Sequence, residues 1–185
     1  MKLHTTVLIV FLSLPFAVVA QDRTDTDTLV IGDINNDKII DTAFIVGPKW
    51  INDEESWGDP KVQLYEIDVR FSNWMPPIHD DNAVTGYIEN VGDIDGDGYS
   101  EVIVVPGWFI GCWGRMKFYT YKQGKWQYFG YAECHVCTDE KYIARMKKLS
   151  KNKLRVIEDV WDGEAADRVK KPKIITLDDW RTLNN

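Results

Sequence analysis

Histidine and serine, which commonly act as catalytic base and nucleophile, are scarce in this sequence. Only three histidines occur among the 185 residues, and two of them, His79 and His135, follow the first twenty residues. The chain has no Gly-x-Ser-x-Gly motif, no P-loop and no His-Glu-x-x-His pair, so three common catalytic motifs are missing. Acidic pairs at residues 54–55 and 80–81 leave room for a hydrolase that uses two carboxylates. We therefore predict that the protein is not an enzyme, with a small secreted glycan-active hydrolase as the alternative.

Long apolar runs are equally rare, and the longest lies near the start of the chain. Lys2 precedes an apolar segment at residues 7–14, and residues 18–20 form a small-residue cleavage site. This order is typical of a secretory signal peptide at residues 1–20, which is too short for a lasting membrane span. We predict a secreted or periplasmic protein without a stable membrane anchor. Residues 21–28 are polar and are expected to form a disordered tail.

Basic residues are too few to support binding to nucleic acid. Acidic side chains outnumber basic ones by 29 to 22, which gives a net charge of −7. A protein of this charge repels a phosphate backbone, so we expect no nucleic-acid partner. The chain that remains after the leader is long enough for one domain with a real core. We place this single β-rich domain at residues 29–180.

Cysteine is limited to three positions: Cys112, Cys134 and Cys137. An exported chain is expected to oxidise such thiols to a disulfide. Gln123-Gly124 is typical of a two-residue hairpin turn, and the resulting register places Cys112 diagonally beside Cys134. We predict a Cys112–Cys134 disulfide and keep Cys112–Cys137 as the alternative. A redox or zinc site at the Cys-x-x-Cys run is a further alternative.

Acidic residues and glycines concentrate in one short stretch that starts at Gly92. Counting from Asp93, acidic side chains occupy positions 1, 3, 5 and 9. Carboxylates this close repel one another unless a cation lies among them. Hard oxygen donors in a flexible loop suit Ca²⁺ better than Mg²⁺. With the backbone carbonyl of position 7, the candidate ligands are Asp93, Asp95, Asp97, Tyr99 and Glu101. The stretch is not an EF-hand, because an apolar strand follows where that motif has its last acid.

The same pattern occurs 60 residues earlier in the chain. An apolar strand follows this copy too, and the matching positions are Asp33, Asn35, Asp37, Ile39 and Asp41. Lys38 replaces a glycine of the second copy. This change adds positive charge and places a side chain where the backbone favours glycine. Two copies of one unit indicate a repeat, and they predict one calcium ion in the second loop and another in the first.

Both stretches resemble FG-GAP or VCBS repeats, the calcium-loop repeats of integrin α-chain propellers and of many bacterial secreted proteins. The resemblance covers residues 29–48 and 89–108, and the rest of the chain matches only as β-rich sequence. It implies that each loop binds calcium for a structural purpose, at the turn between two strands of a propeller blade.

Alternating apolar and polar residues predict strands along much of the remaining chain, for instance at residues 65–71. Turn sequences at residues 122–125 and 162–164 predict hairpins. The predicted fold class is mostly β and antiparallel: a small propeller-blade-like or sandwich-like domain with two repeated calcium-loop hairpins. A repeat of 60 residues leaves too little chain for a closed propeller. Either the chain folds as a small open β domain or several chains complete a ring, and we expect the monomer.

Tryptophan is abundant, with eight copies in the chain. Five of them lie in or beside connections rich in glycine and proline: Trp50, Trp57, Trp74, Trp108 and Trp113. Flat rings on rigid loops offer a large contact area at a small entropic cost. These residues are therefore candidates for ligand binding, with packing over a small core as the alternative. Together, the features predict an exported, calcium-stabilised binding or interaction module whose ligand is an unidentified protein or glycan.

Overall fold

The computed structural model of the protein describes four ranges of the chain: residues 26–47, 66–108, 111–137 and 141–177. In the described residues, the regular structure comprises eleven strands in three antiparallel sheets and a 3₁₀ turn at Tyr142–Arg145. The prediction of a mostly β, antiparallel small domain is confirmed. Within these ranges, no helix is both long and apolar enough to cross a membrane. The predicted signal peptide lies outside the described residues.

Each sheet is a meander, in which strands that are neighbours in sequence are hydrogen-bonded neighbours in space. The first sheet contains β1 (Thr26–Gly32), β2 (Asp41–Val46), β3 (Ile67–Phe71) and β4 (Ile78–Asp80). The second sheet contains β5 (Thr85–Gly92), β6 (Glu101–Gly107), β7 (Trp113–Lys122) and β8 (Lys125–His135). The 3₁₀ turn at Tyr142–Arg145 leads into the third sheet, which contains β9 (Met146–Ser150), β10 (Lys153–Asp162) and β11 (Asp167–Thr176).

The first strand begins earlier than the sequence predicts. Residues 26–28 were expected to end a disordered tail, but they pair with β2, with Thr26 opposite Val46. β1 lies at the edge of its sheet, where a strand keeps one side open to water and tolerates polar residues. Pairing with β2 gives the backbone N–H and C=O groups of these residues hydrogen-bond partners. The polarity of the side chains does not indicate this pairing.

The second sheet is the middle layer of the protein, because both of its faces are buried. Val102 and Val104 of β6 belong to the core cluster shared with the first sheet, whereas Ile103 and Val105 belong to the cluster shared with the third. Successive side chains of a strand point to opposite faces. An uninterrupted apolar run is therefore what a strand between two layers requires, and the predicted buried strand is confirmed.

A buried ion pair fixes the 3₁₀ turn against the third sheet. The Arg145 guanidinium hydrogen-bonds the Asp159 carboxylate, and both side chains are almost fully buried. The same carboxylate accepts the backbone N–H of His135 in β8 at 2.9 Å. Burial by itself raises the pKa of Asp159, but these hydrogen bonds outweigh it and hold the pKa below its usual value. The pair thus connects the second and third sheets.

The disulfide joins Cys112 to Cys137, so the predicted Cys112–Cys134 pairing is wrong and the alternative pairing is confirmed. Cys134 is a free thiol, buried in the core between the second and third sheets. Burial raises the pKa of this thiol to about 12, which keeps it protonated and unreactive. The two cysteines of the Cys-x-x-Cys run therefore differ in role, and the disulfide fits an oxidising location outside the cytoplasm.

A β-bulge in the hairpin of β7 and β8 explains the different pairing. The register predicted from the turn holds as far as Tyr119, which pairs with Tyr128. Phe129 is then an extra residue, so the rest of β8 is displaced by one position. Cys112 lies opposite Val136, whose N–H donates to the Cys112 carbonyl at 2.7 Å. The nearest cysteine across the strands is then the one that follows Val136.

Mass spectrometry of cysteine variants tests this pairing. Cys134→Ser should still gain the mass of two hydrogens on reduction, whereas Cys137→Ser should gain none, because only the latter loses a disulfide sulfur. Native wild-type protein should resist a thiol reagent and react once when denatured without reductant. Reduction of the disulfide should lower the free energy of unfolding by about 2–4 kcal/mol. A disulfide that disappears in Cys134→Ser and persists in Cys137→Ser would contradict the structure.

Candidate functional site

The two repeated loops occupy the same place in their sheets. The first loop, Asp33 to Asp41, joins β1 to β2, and the second loop, Asp93 to Glu101, joins β5 to β6. Each follows a glycine in the left-handed region, with φ of 76° at Gly32 and 80° at Gly92. The strand register shifts at this glycine in both sheets. The repeat in the sequence is therefore also a repeat in structure.

Four hydrogen bonds recur at matching positions of the two loops. The position 1 carboxylate accepts the N–H of position 6, at 2.9 Å in the first loop and 3.1 Å in the second. The side chain of position 3 accepts the N–H of position 5, at 3.2 and 3.1 Å. The position 5 carboxylate accepts the N–H of position 7, at 2.7 and 2.9 Å. Finally, the position 9 carboxylate accepts the N–H of position 2, at 3.0 and 2.6 Å. Side chains at the same four positions, all acidic except Asn35, thus shape both turns.

The first loop reaches the same backbone conformation with less suitable residues. Asn36 and Lys38 have φ of 62° and 72°, where the second loop has Gly96 and Gly98 at 78° and 95°. A side chain at such a φ costs roughly 1–2 kcal/mol, so the predicted strain at Lys38 is present. The Lys38 ammonium donates to the Asn36 amide oxygen and adds a positive charge within this loop.

Three carboxylates converge in the second loop. Asp93, Asp95 and Glu101 each offer an oxygen, and these oxygens lie within 4.8 Å of one another. Asp95 is 3% exposed and Glu101 is fully buried. Across the described residues, this is the one group of three or more acidic, histidine or cysteine side chains at such spacing. An all-oxygen group of this kind could hold a metal ion.

Asn35 occupies the place of Asp95 in the first loop, which reduces its charge. Asp33 and Asp37 accept backbone hydrogen bonds, Ile39 is exposed, and Asp41 is buried. Calcium binding by this loop stays a prediction.

A lysine that the sequence analysis missed borders the second loop. Lys122, at the end of β7, hydrogen-bonds the Asp95 carboxylate, and its Nζ lies 3.9 Å from Asp97. From the third sheet, Lys148 donates to the backbone carbonyl of Asp93 at 2.8 Å. Burial and the neighbouring carboxylates raise the pKa of Asp97 above its usual value. Two ammonium groups thus lie beside a loop with four carboxylates, and the loop keeps a net negative charge.

Glu101 connects the second loop to the strand beside it. One carboxylate oxygen accepts the Ile94 N–H at 2.6 Å, and the other accepts the Thr120 hydroxyl at 2.8 Å. Burial raises the pKa of Glu101 to about 7 despite these hydrogen bonds. The ionised form is thus costly in this environment, and a nearby cation would lower that cost. The sequence alone does not identify Thr120 as a partner of Glu101. Its position follows from the register of β6 and β7, in which the neighbouring Tyr119 pairs with Val102.

The second loop also contacts the first sheet. The Ser100 N–H donates to the Ile34 carbonyl of the first loop at 2.9 Å. The Tyr99 ring packs against Tyr121 at 5.2 Å and against Trp74 at 6.4 Å between centroids. Trp74 is 63% exposed, and it lies beside this loop. The conformation of the second loop is therefore coupled to the contact between two sheets.

The other tryptophans predicted to bind a ligand lie elsewhere. Trp108 and Trp113 line one open cleft of about 550 Å³ near the carboxyl end of β6. Trp50 and Trp57 lie outside the described residues. Among the candidate rings that the structure describes, Trp108 and Trp113 are thus brought together, and Trp74 lies apart from them beside the second loop.

Of the acidic residues considered for hydrolysis, Asp80 is buried and accepts a hydrogen bond from Lys117 Nζ at 2.5 Å.

Comparisons with protein-family models, with curated proteins and with solved structures give no match for this chain. The functional argument accordingly depends on the geometry of the loops and of the cleft.

A Glu101→Ala substitution tests the structural role of the position 9 side chain. We expect the free energy of unfolding, measured by urea titration in metal-free buffer at about pH 5, to fall by about 1–3 kcal/mol. The reason is that alanine leaves the buried Ile94 N–H and the Thr120 hydroxyl without their hydrogen-bond partner, and that the raised pKa of Glu101 keeps its charge small at this pH. Glu164→Ala, at an exposed turn position, is the matched control and should change little. Equal stability of the two variants would contradict this role.

Proposed function

We propose that the protein is an exported interaction module that a calcium ion, bound in the second loop, stabilises. The observation that carries this proposal is the convergence of the Asp93, Asp95 and Glu101 oxygens within 4.8 Å, two of them on buried side chains. Three carboxylates at this distance, two of them buried and Asp93 exposed, favour a divalent cation over an empty site. The proposal includes membership of the FG-GAP or VCBS repeats, which the shared loop hydrogen bonds support.

The donor set fits calcium. Calcium takes six to eight oxygen ligands and tolerates irregular geometry. Asp93, Asp95 and Glu101 would hold the ion, and Asp97 and the Tyr99 carbonyl are the further oxygen donors that the sequence places in the loop. A bound calcium ion supplies positive charge at carboxylates that otherwise repel one another. The first loop is a weaker second site, because it has a neutral Asn35 and the nearby charge of Lys38.

Residues around the site link the conformation of the second loop to the packing of the sheets. Glu101 holds the loop to β6 and β7 through its two hydrogen bonds. Tyr99 packs on Trp74 and Tyr121, at the contact between the first and second sheets. A loop fixed in this conformation therefore stabilises the way the sheets pack. This role is structural, and we propose binding rather than catalysis as the activity.

The proposed partner is a protein or glycan outside the cytoplasm. The disulfide between Cys112 and Cys137 supports an oxidising location, and the predicted signal peptide agrees with it. The cleft with Trp108 and Trp113 supplies an exposed surface for a ligand. We propose a monomer, because the second sheet is covered on both faces by the chain's own sheets.

Calorimetry with metal-free protein tests the ion site. Calcium should release or absorb heat with wild-type protein and should raise its melting temperature, because it binds the folded loop. Asp95→Asn should weaken the affinity about tenfold or more, because calcium affinity depends on ligand charge. Lys122→Met should bind calcium more tightly than wild type, since an entering ion no longer displaces an ammonium from Asp95.

Lys125→Met is the control for the lysine variant. Lys125 lies opposite Lys122 in the hairpin, so its loss changes the net charge equally without touching the carboxylates. Its calcium affinity should stay close to that of wild type. Absence of binding by wild-type protein would refute the proposal. Equal affinities of the two lysine variants would refute the competition between Lys122 and the ion.

A further inference from the structure

The cleft near the carboxyl end of β6 has the composition of a ligand site. It has a volume of about 550 Å³ and is open to solvent. Two indole rings contribute to it, with Trp108 45% and Trp113 48% exposed. Polar side chains complete the lining: Asn82, Arg115, Lys117 and Glu133. Half-exposed tryptophans beside fixed polar groups are a typical combination in sites that bind small molecules.

The rim of the cleft is held by covalent and aromatic contacts. The disulfide of Cys112 and Cys137 connects the residue before Trp113 to the turn after β8. The Trp113 ring packs edge-on against His135, with 5.9 Å between centroids. A ring that is already fixed loses little conformational entropy when a ligand binds, so this rim is preorganised for binding.

The positively charged groups of the cleft are each paired with a carboxylate. Arg115 Nε donates to a Glu133 carboxylate oxygen at 3.1 Å, and its guanidinium lies 4.6 Å from the centre of the Tyr131 ring. Lys117 donates to Asp80 at 2.5 Å. A guanidinium has five N–H donors and an ammonium has three, so both groups retain donors for a ligand while their charges are balanced.

We infer that this cleft binds a neutral oligosaccharide. The C–H faces of sugar rings pack on exposed indoles, and their hydroxyls both donate and accept hydrogen bonds. Arg115 and Lys117 would donate to such hydroxyls, and the carboxylate of Glu133 would accept from them. An anionic ligand fits less well, because each positive side chain here already has a carboxylate partner. An apolar peptide would leave these polar groups without partners, at a cost in desolvation.

A second cleft, of about 380 Å³, lies between β5, β6 and the 3₁₀ turn. It has no tryptophan in its lining. Both carboxylate oxygens of Glu89 accept protein hydrogen bonds there, from the Tyr87 hydroxyl at 3.0 Å and from the Ile143 N–H at 2.7 Å. Its polar groups therefore hold the turn in place, and the tryptophan cleft is the better site for a sugar.

The inference rests on the proposed role as an interaction module, but it does not require the ion. β6 begins at the second loop and ends beside the cleft, and a strand of this length separates its ends by about 20 Å. Substitutions in the cleft should therefore leave calcium affinity unchanged. If calcium fails to bind the second loop, a sugar can still bind the cleft. If no sugar binds the cleft, calcium can still bind the loop.

Titration of the protein, in calcium-containing buffer and again in chelator, with neutral hexasaccharides of glucose, mannose, xylose or N-acetylglucosamine tests this inference. Calorimetry gives the affinity, and the indole N–H signals in NMR spectra identify the rings that respond. At least one sugar should bind at concentrations below about 1 mM. Trp108→Ala and Trp113→Ala should each weaken that binding about tenfold or more, because central aromatic rings dominate contact energy.

Trp161→Ala is the matched control, because Trp161 is 59% exposed on β10 and is not among the residues that line the cleft. It should bind the same sugar with wild-type affinity, and circular dichroism should show that all three variants are folded. A sulfated hexasaccharide and an apolar peptide serve as competing ligand classes. Binding of either in place of the neutral sugars, no binding at all, or equal loss in Trp161→Ala would overturn the inference.

Discussion

A buried carboxylate stands where the second strand begins in each of the two four-stranded sheets. Asp41 in the first sheet and Glu101 in the second accept the backbone N–H of position 2 of the preceding loop. This hydrogen bond closes the loop over the end of its sheet. It satisfies a backbone donor that has no strand partner. Since the Ser100 N–H also bonds the Ile34 carbonyl, the two turns support each other and hold neighbouring sheets together.

The same arrangement has an electrostatic cost. In the second loop, Glu101 is fully buried beside Asp95, and Asp93 points an oxygen at both. Lys122 relieves part of the repulsion. The remaining negative charge is the physical reason for proposing that a divalent ion binds this loop. The first loop, with less negative charge, would bind the ion more weakly. The ion would stabilise the folded protein, whereas the tryptophan cleft at the other end of β6 would bind a ligand.

Features that depend on local pattern could be predicted from the sequence. The apolar run of β6 predicts burial on both faces, and the spacing of Asp and Gly residues predicts the two loops. Features set by packing could not. Phe129 is an extra residue in β8, and the following Gly130 lies so close to Ile175 of the third sheet that a Cβ would be 3.3 Å from its side chain. The contact of Gly130 with Ile175 occurs at the β-bulge, and the register shift at this bulge places Cys137 rather than Cys134 next to Cys112. Lys122 reaches the loop because β7 runs antiparallel to β6, which places the end of β7 beside the start of β6.

Amide hydrogen exchange at the second loop is the most direct test of a calcium-stabilised turn. The N–H groups of Ile94, Gly98 and Tyr99 donate to the carboxylates of the proposed site, so they report on its order. Exchange should slow at these three amides when calcium is added to chelator-treated protein. The amide of Ile34 in the first loop should change less. Identical exchange with and without calcium at Ile94, Gly98 and Tyr99 would contradict the account.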